Sequence, residues 1–388
     1  MSLYVVKFGG SSVGNIGRIK LTASIVSKYV EDGHRVVVVT SAMHGVTNYL
    51  IDLVRSVHDS ADHREYDAVI SSGEQIAAGL LAARLCAMRF PAVSLNCYQI
   101  PIHAAGNFSN ANITSIDISK INDLINDNII PVITGFQGVS GDHDIMTTGR
   151  GGSDSTACSI AYVIKADECL IYTDVDGIYT ADPRIVLKAN RLDEISYEEM
   201  LDLAYCGAEV LQPQSVLIAM RCHVKIRVLS SFTDTGGTIV TNKVPIPNAR
   251  KVTGIAHNTN LAKIVISEID LACATLLEKI GQIDLLAIED NTISFLFQKS
   301  RLNEVKAILK DSEKYKLLSD IGLVTIVGYG FKADQSTFLE VMDVLKRMQL
   351  HPKQISVTET TISIVISLHQ IDEVVNTLHS EFFNFDAQ

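Results

Sequence analysis

Lys7 is followed directly by Phe8-Gly9-Gly10-Ser11-Ser12-Val13-Gly14. A lysine ahead of paired glycines suits an anion. The glycines let backbone N–H groups approach closely, and the ammonium supplies charge. The spacing is not that of a P-loop, which needs GxxxxGK[ST], and a tight turn would account for Gly9-Gly10 equally well. In Thr147-Thr148-Gly149-Arg150-Gly151-Gly152-Ser153-Asp154, glycines and hydroxyls surround one cation and one carboxylate. Arg150 could clamp a carboxylate through two parallel hydrogen bonds, while Asp154 could simply cap the helix that follows. A third string runs from Thr173-Asp174 through Tyr179 to Asp182-Pro183-Arg184. Its Asp-x-Asp-Gly lacks the glutamate that a calcium loop requires, and a turn or hairpin explains it as well. In Ser71-Ser72-Gly73-Glu74, the carboxylate at a helix start could favour the helix dipole or receive an ammonium. His34, His44, His58, His63 and His103 show no metal-ligand spacing, so no protein metal site is expected.

These strings need elements to hold them. Leu3 to Phe8 is a β-rich run that ends at the first glycines, and a helix pattern follows from Ile16 to Tyr29. Arg35 to Thr40 carries four consecutive valines, as a strand buried on both faces does. Ile129 to Thr134 and Cys169 to Thr173 read the same way, with helical patterns at Gln75 to Met88 and Ser155 to Lys165 between them. Alternating strands and helices predict an α/β fold, with a mainly parallel sheet sandwiched by helices. Such sheets bind ligands beyond the carboxyl ends of their strands, where the polar glycine-rich strings fall.

The last third contains a duplication. Thr292-Ile293-Ser294 recurs as Thr361-Ile362-Ser363, Glu304-Val305 as Glu373-Val374, and Leu309 as Leu378, all offset by 69 residues. A shared offset across a strand and the next helix marks a repeated unit. Each copy reads strand, helix, strand, strand, helix, a small α/β sandwich. Two prolines within Asn242 to Asn248 predict a linker before the pair. The expected division is therefore 1–242, 250–318 and 319–388.

Composition sets the remaining bounds. The 388 residues suffice for two or three domains at about 150 residues each. A net charge of −11 argues against a nucleic-acid binder, though not against a small anion held by a few local cations. No apolar run reaches the ~18 residues of a membrane span, and no leader pattern opens the chain. Seven scattered cysteines without CxxC spacing fit a reducing cytoplasm.

Taken in order, Lys-Phe-Gly-Gly-Ser-Ser, Ser-Gly-Glu, Gly-Arg-Gly-Gly-Ser-Asp and Thr-Asp-Val-Asp-Gly-Ile-Tyr-Thr-Ala-Asp-Pro-Arg resemble the aspartate kinases of the amino-acid kinase family. The C-terminal duplication is similar to their paired ACT domains, small ferredoxin-like units, and the resemblance implies that strands can interleave between the two units across the cut near Ser319. The resemblance implies phosphoryl transfer from ATP, carried with Mg2+, to the side-chain carboxylate of L-aspartate, a first step toward lysine, threonine and methionine. By the same resemblance Lys7 and Asp154 are catalytic. Ser41, Thr47, Glu74, Arg150, Gly151, Gly152 and Ser153 contact the amino acid. Lys7, Phe8, Gly9, Gly10, Ser11, Thr173, Asp174, Tyr179, Asp182, Pro183 and Arg184 contact ATP. Lysine or threonine is the expected effector at the ACT units, in a homodimer or larger assembly. Glu209 stands where many members have a nucleotide-binding lysine, so that role is not carried over. A kinase for another amino-acid carboxylate, or an ACT-containing sensor without catalysis, would share much of this pattern.

Overall fold

Strands such as Val36-Val37-Val38-Val39 have no polar face and are stable only between two helical layers. The computed structural model describes residues 1–58, 62–242, 251–267, 276–278, 280, 283–289, 292–309 and 314–383. It separates into two units: Met1–Ile178 with Arg191–Ala204 and Glu209–Val244, and Tyr179–Asn190 with Tyr205–Ala208 and Pro245–Gln388. Most of the expected linker lies outside the described residues.

In chain order the first unit contains β1 (Leu3–Phe8), α1 (Ile16–Glu31), β2 (Arg35–Thr40), α2 (Val46–Val57), α3 (His63–Ile70), α4 (Ser72–Ala87) and β3 (Ala92–Leu95). Then come β4 (Ile102–Asn107), β5 (Asn110–Ile116), α5 (Ser119–Asn126), β6 (Ile130–Thr134), β7 (Gln137–Val139), β8 (Ile145–Thr147) and α6 (Gly152–Val163). It closes with β9 (Glu168–Thr173), β10 (Glu194–Ser196), α7 (Tyr197–Tyr205), α8 (Pro213–Cys222), β11 (Ile226–Ser230) and β12 (Thr238–Thr241). Its main sheet has the order β10-β12-β11-β9-β1-β2-β6-β3. From β11 across to β3 every pairing is parallel. The carboxyl ends of β1, β2, β6, β9 and β11 therefore share one edge.

Side-chain alternation decides what each face receives. Val6 and Phe8 enter a core with Val38, Ile19 of α1, and Leu81 and Leu85 of α4. Val5 and Lys7 point to the opposite face, where α6 packs against β1, β2 and β9. Helix α6 is buried from Gly152 to Cys158, so it crosses the middle of its layer. Asn15 starts α1 by accepting the Arg18 N–H at 3.0 Å.

A second sheet, β5-β4-β7-β8, was not anticipated from the sequence. Its strands are three to seven residues long, and those that face solvent alternate polar with small residues. No apolar run announces them.

The second unit contains β13 (Val252–Ile266), β14 (Asp284–Glu289), β15 (Thr292–Gln298), α9 (Leu302–Leu309), β16 (Tyr315–Gly328), α10 (Ser336–Arg347), β17 (Gln354–Val357), β18 (Thr361–Ser367) and α11 (Ile371–Phe383). They form one antiparallel sheet in the order β14-β15-β13-β16-β18-β17. The repeat aligns β15 with β18 and α9 with α11. Among the described residues two cores pack helices against this sheet, and the first of them draws on both sides of a cut at Ser319. Val252 and Ile255 of β13 join Val324 and Ile326 of β16 with α10 and α11. Ala262 and Ile264 of β13 join Phe295, Phe297 and Val305, with Leu317 of β16 against them. Ser319 falls inside β16, and the β13–β16 register shifts on either side of Leu261. Each long strand thus serves both cores.

Residues 179–190, which the sequence reading placed inside 1–242, group with this unit. Ala181 and Val186 are buried in the core beneath α10 and α11. Thr180 accepts the Ile255 N–H through its carbonyl at 2.7 Å, and its hydroxyl bonds His379 Nε2 at 2.9 Å. Among the described residues no helix is long and apolar enough to cross a membrane.

Burial predicts where truncation is felt. Leu81 is fully buried whereas Leu187 is 93% exposed. Leu81→Ala should cost about 2–5 kcal/mol in denaturant unfolding, and Leu187→Ala should stay within about 0.5 kcal/mol of the parent.

Candidate active site

The shared carboxyl edge of β1, β2, β6 and β9 assembles most of the predicted residues. Lys7 is the penultimate residue of β1, paired across to Val39 and Ile171. Its Nζ lies 2.5 Å from Asp154 Oδ1, both side chains being about nine-tenths buried. The contact is an ion pair by distance, with no aligned hydrogen bond to Oδ1. Asp154 sits in the first turn of α6, where a carboxylate also favours the helix dipole.

After β1 the backbone turns sharply. Gly9 donates its N–H to Tyr172 O at 3.0 Å, and Ser12 returns its own to Gly9 O at 3.0 Å. A Cβ on Gly10 would lie 3.2 Å from Ala42 O, so the turn lies hard against the loop after β2. In that loop Ser41 N–H bonds Phe8 O at 3.0 Å, and Ala42 N–H bonds Glu74 Oε1 at 3.0 Å. Ser11, Ser41 and Thr47 are half-buried.

Glu74 stands in the first turn of α4 and is 3% exposed. Its second oxygen, Oε2, has no hydrogen-bond partner. Burial raises its pKa to about 7, against the lesser opposing effect of backbone N–H bonds. A carboxylate in this setting gains from a cation that arrives with a ligand. Thr40, Thr134, Thr148 and Ser155 also hold buried hydroxyls without partners, so the interior of this edge is unusually polar.

The loop 148–151 joins β8 to α6. Gly151 has φ +70°, and a Cβ there would meet Gln212 at 2.3 Å. A Cβ on Gly135 would meet Ser153 Cβ at 2.6 Å, so the loop after β6 lies directly on the start of α6. Phe136 follows with φ 68°. Arg150 is exposed, whereas Ser153 is buried.

The third string divides. Thr173 ends β9 and bonds Asp174 Oδ1 at 3.0 Å in the first unit. Tyr179, Asp182, Pro183 and Arg184 belong to the second unit, where the Arg184 guanidinium forks onto Asp182 at 2.7–3.1 Å. Glu209 is exposed. Among the described residues no group of three or more His, Cys, Asp or Glu side chains could hold a metal ion.

Sequence reasoning overlooked Asp67. It lies in α3 seven residues before Glu74, is 0% exposed, and accepts four hydrogen bonds from Ser109 and Thr147. Its only sequence signal is an acidic residue on the inner face of a short helix.

The profile of the amino acid kinase family matches residues 2–230. The chain belongs to the amino acid kinase family. Over 402 residues it is 37% identical to an aspartokinase of Pseudomonas aeruginosa, covering 98% of each protein. Over 399 residues it is 35% identical to aspartokinase 2 of Bacillus subtilis, again covering 98% of each. Among solved structures, E. coli aspartokinase III in complex with aspartate and ADP superposes with a TM-score of 0.82 at 23% identity, covering 98% of this chain and all of that one. The same enzyme with lysine and aspartate gives 0.77. Within the family the chain therefore groups with the aspartate kinases, which are phosphotransferases.

Glu74 makes stability depend on pH. An acid whose pKa rises on folding binds more protons in the folded state between its ordinary 4.5 and about 7. Stability conferred by its neutral form is lost as pH rises through that window. Unfolding free energies measured from pH 4.5 to 8 should show this loss in the parent, and Glu74→Gln should remove it.

Proposed function

We propose that this chain transfers the γ-phosphoryl group of ATP to the side-chain carboxylate of L-aspartate, giving 4-phospho-L-aspartate and ADP. The observation that carries the reading is the buried Lys7–Asp154 pair at the tip of the central strand, in a family of phosphotransferases. In the step, a carboxylate oxygen attacks the γ-phosphorus while the bond from that phosphorus to the β-bridging oxygen breaks. A carboxylate is already ionised near neutral pH, so no strong base is required. The protein must align two anions and offset their repulsion.

Lys7 does this for the transferring phosphoryl, and Asp154 holds the ammonium in place. Asp154 is not proposed as a base. Phe8, Gly9, Gly10 and Ser11 provide the backbone cradle, with Thr173 and Asp174 beside the nucleotide. For Tyr179, Asp182, Pro183 and Arg184 the support is the sequence string alone. Glu74 receives the substrate ammonium and Arg150 its α-carboxylate. Ser41, Thr47, Gly151, Gly152 and Ser153 complete the acceptor side. Magnesium is proposed to enter as part of the nucleotide substrate, bound by its phosphates. Lysine or threonine is the proposed effector of the second unit, in a homodimer or larger assembly in the cytoplasm.

Turnover with aspartate, compared with glutamate and trapped by hydroxylamine as the hydroxamate, tests the reading. The parent should form hydroxamate from aspartate, and Lys7→Ala should lose at least about 100-fold of that rate, as expected when a group stabilising transition-state charge is removed. Undiminished activity in Lys7→Ala would take Lys7 out of its role. A parent that turns over ATP with neither acid would defeat the assignment. Because Glu74 must be ionised to receive an ammonium, kcat/KM for aspartate should rise with pH up to about 7 in the parent.

A further inference from the structure

We propose that Asp67 is a positioning residue for the acceptor amino acid, setting the spacing between Glu74 and Arg150. The proposal rests on the roles given to those two side chains above. Asp67 Oδ2 accepts the backbone N–H groups of Ser109 at 2.8 Å and Thr147 at 2.7 Å. Oδ1 accepts their hydroxyls at 2.8 and 3.0 Å. All four donors are neutral. Burying a carboxylate costs several kcal/mol even after relaxation, so hydrogen bonds of this quality are needed to keep it in place.

What the four bonds join is specific. Helix α3 runs straight into α4. Ser71 both ends the first and precedes the second, with its N–H on Asp67 O at 3.1 Å and its carbonyl accepting Gln137 Nε2 at 3.0 Å. The Asp67 backbone is therefore tied to the helix start that carries Glu74. Its side chain grips the last residue of β8, three positions before Arg150. It also grips Ser109, held at φ 64° in the β4–β5 turn, and the Gly149 backbone packs on that turn, where a Cβ would meet Ser109 O at 3.4 Å. One carboxylate thus links the ammonium-binding helix to the loop that presents the guanidinium. Neither link involves the Lys7 side of the site.

Steady-state kinetics on the full chain test this with Asp67→Asn, Thr147→Val and Thr147→Ser. Losing one charge-assisted hydrogen bond is worth about 1.5–3 kcal/mol, or roughly tenfold or more in an equilibrium. Asp67→Asn and Thr147→Val should each raise KM for aspartate about tenfold, with KM for ATP changing less than about threefold. Thr147→Ser, which keeps the hydroxyl, should restore the parent value. Combined with Arg150→Ala, the Asp67→Asn effect on KM for aspartate should largely vanish, since both act through one group. Equal rises in both KM values, an unchanged KM for aspartate with only a lower melting temperature, or full additivity with Arg150→Ala would each overturn the proposal. Should Asp67→Asn fail to fold, the Thr147 pair decides. A parent inactive on aspartate defeats the functional assignment together with this proposal, whereas an active parent with a flat KM in the variants defeats the positioning role alone.

Discussion

A lysine side chain that is nine-tenths buried on the central strand of a parallel sheet is the constraint on which this site turns. An ammonium in such surroundings needs a counter-charge at contact distance, because desolvation otherwise costs several kcal/mol. Asp154 supplies it from the first turn of α6, and that requirement fixes where α6 must begin. The rest follows by close approach. The helix start crowds the loop after β6 so tightly that only glycine fits at Gly135. It also needs a left-handed backbone at Gly151, where a side chain would collide with Gln212. The glycines around Arg150 therefore serve packing as much as ligand approach.

Two of the buried carboxylates at the site, Asp154 and Glu74, are held in opposite ways. Asp154 faces a lysine, whereas Glu74 has one backbone N–H on one oxygen and nothing on the other. Burial raises the Glu74 pKa toward neutrality, so it is poised to ionise when a cation arrives. On the proposed function, this division would let a chain of net charge −11 handle two anionic substrates, the fixed pair organising the phosphoryl end and the unpaired acid receiving an ammonium. Overall charge governs distant encounters, while a few oriented groups govern the local field.

Much of this was legible in the residues. The valine strands, the helices α1, α4 and α6, and the placement of glycine-rich strings at strand ends follow from period and composition. So does the duplication, since the offset joining Thr292 to Thr361 also joins the helices after them. The β5-β4-β7-β8 sheet was not legible, because strands as short as Gln137–Val139 carry too few residues to show a period. Asp67 was hidden for a related reason. Its importance lies in partners 42 and 80 positions away, which no local pattern displays. The segment after Ile178 reads as a continuation of the first unit because its motif follows β9. The burial of Ala181 and Val186, with the bonds of Thr180 to Ile255 and His379, shows which core it fills.

The second unit shows why a repeat in sequence need not be a boundary in space. A cut at Ser319 would leave β13 wholly in the first half and divide β16. Both strands are long, at 15 and 14 residues, and each runs under two cores. Val252 and Ile255 belong to one, and Ala262 and Ile264, a few residues on, to the other. The change happens at Leu261, where the register with β16 shifts. Such a shift bends and twists the strand locally, which turns its two ends toward different helices. Hydrogen bonds along β13 and β16 then join the two cores through continuous backbone. A displacement in one half has to be absorbed at the irregular positions around Leu261 or passed to the other half. The duplicated sequence therefore builds one mechanically connected sheet rather than two beads on a string.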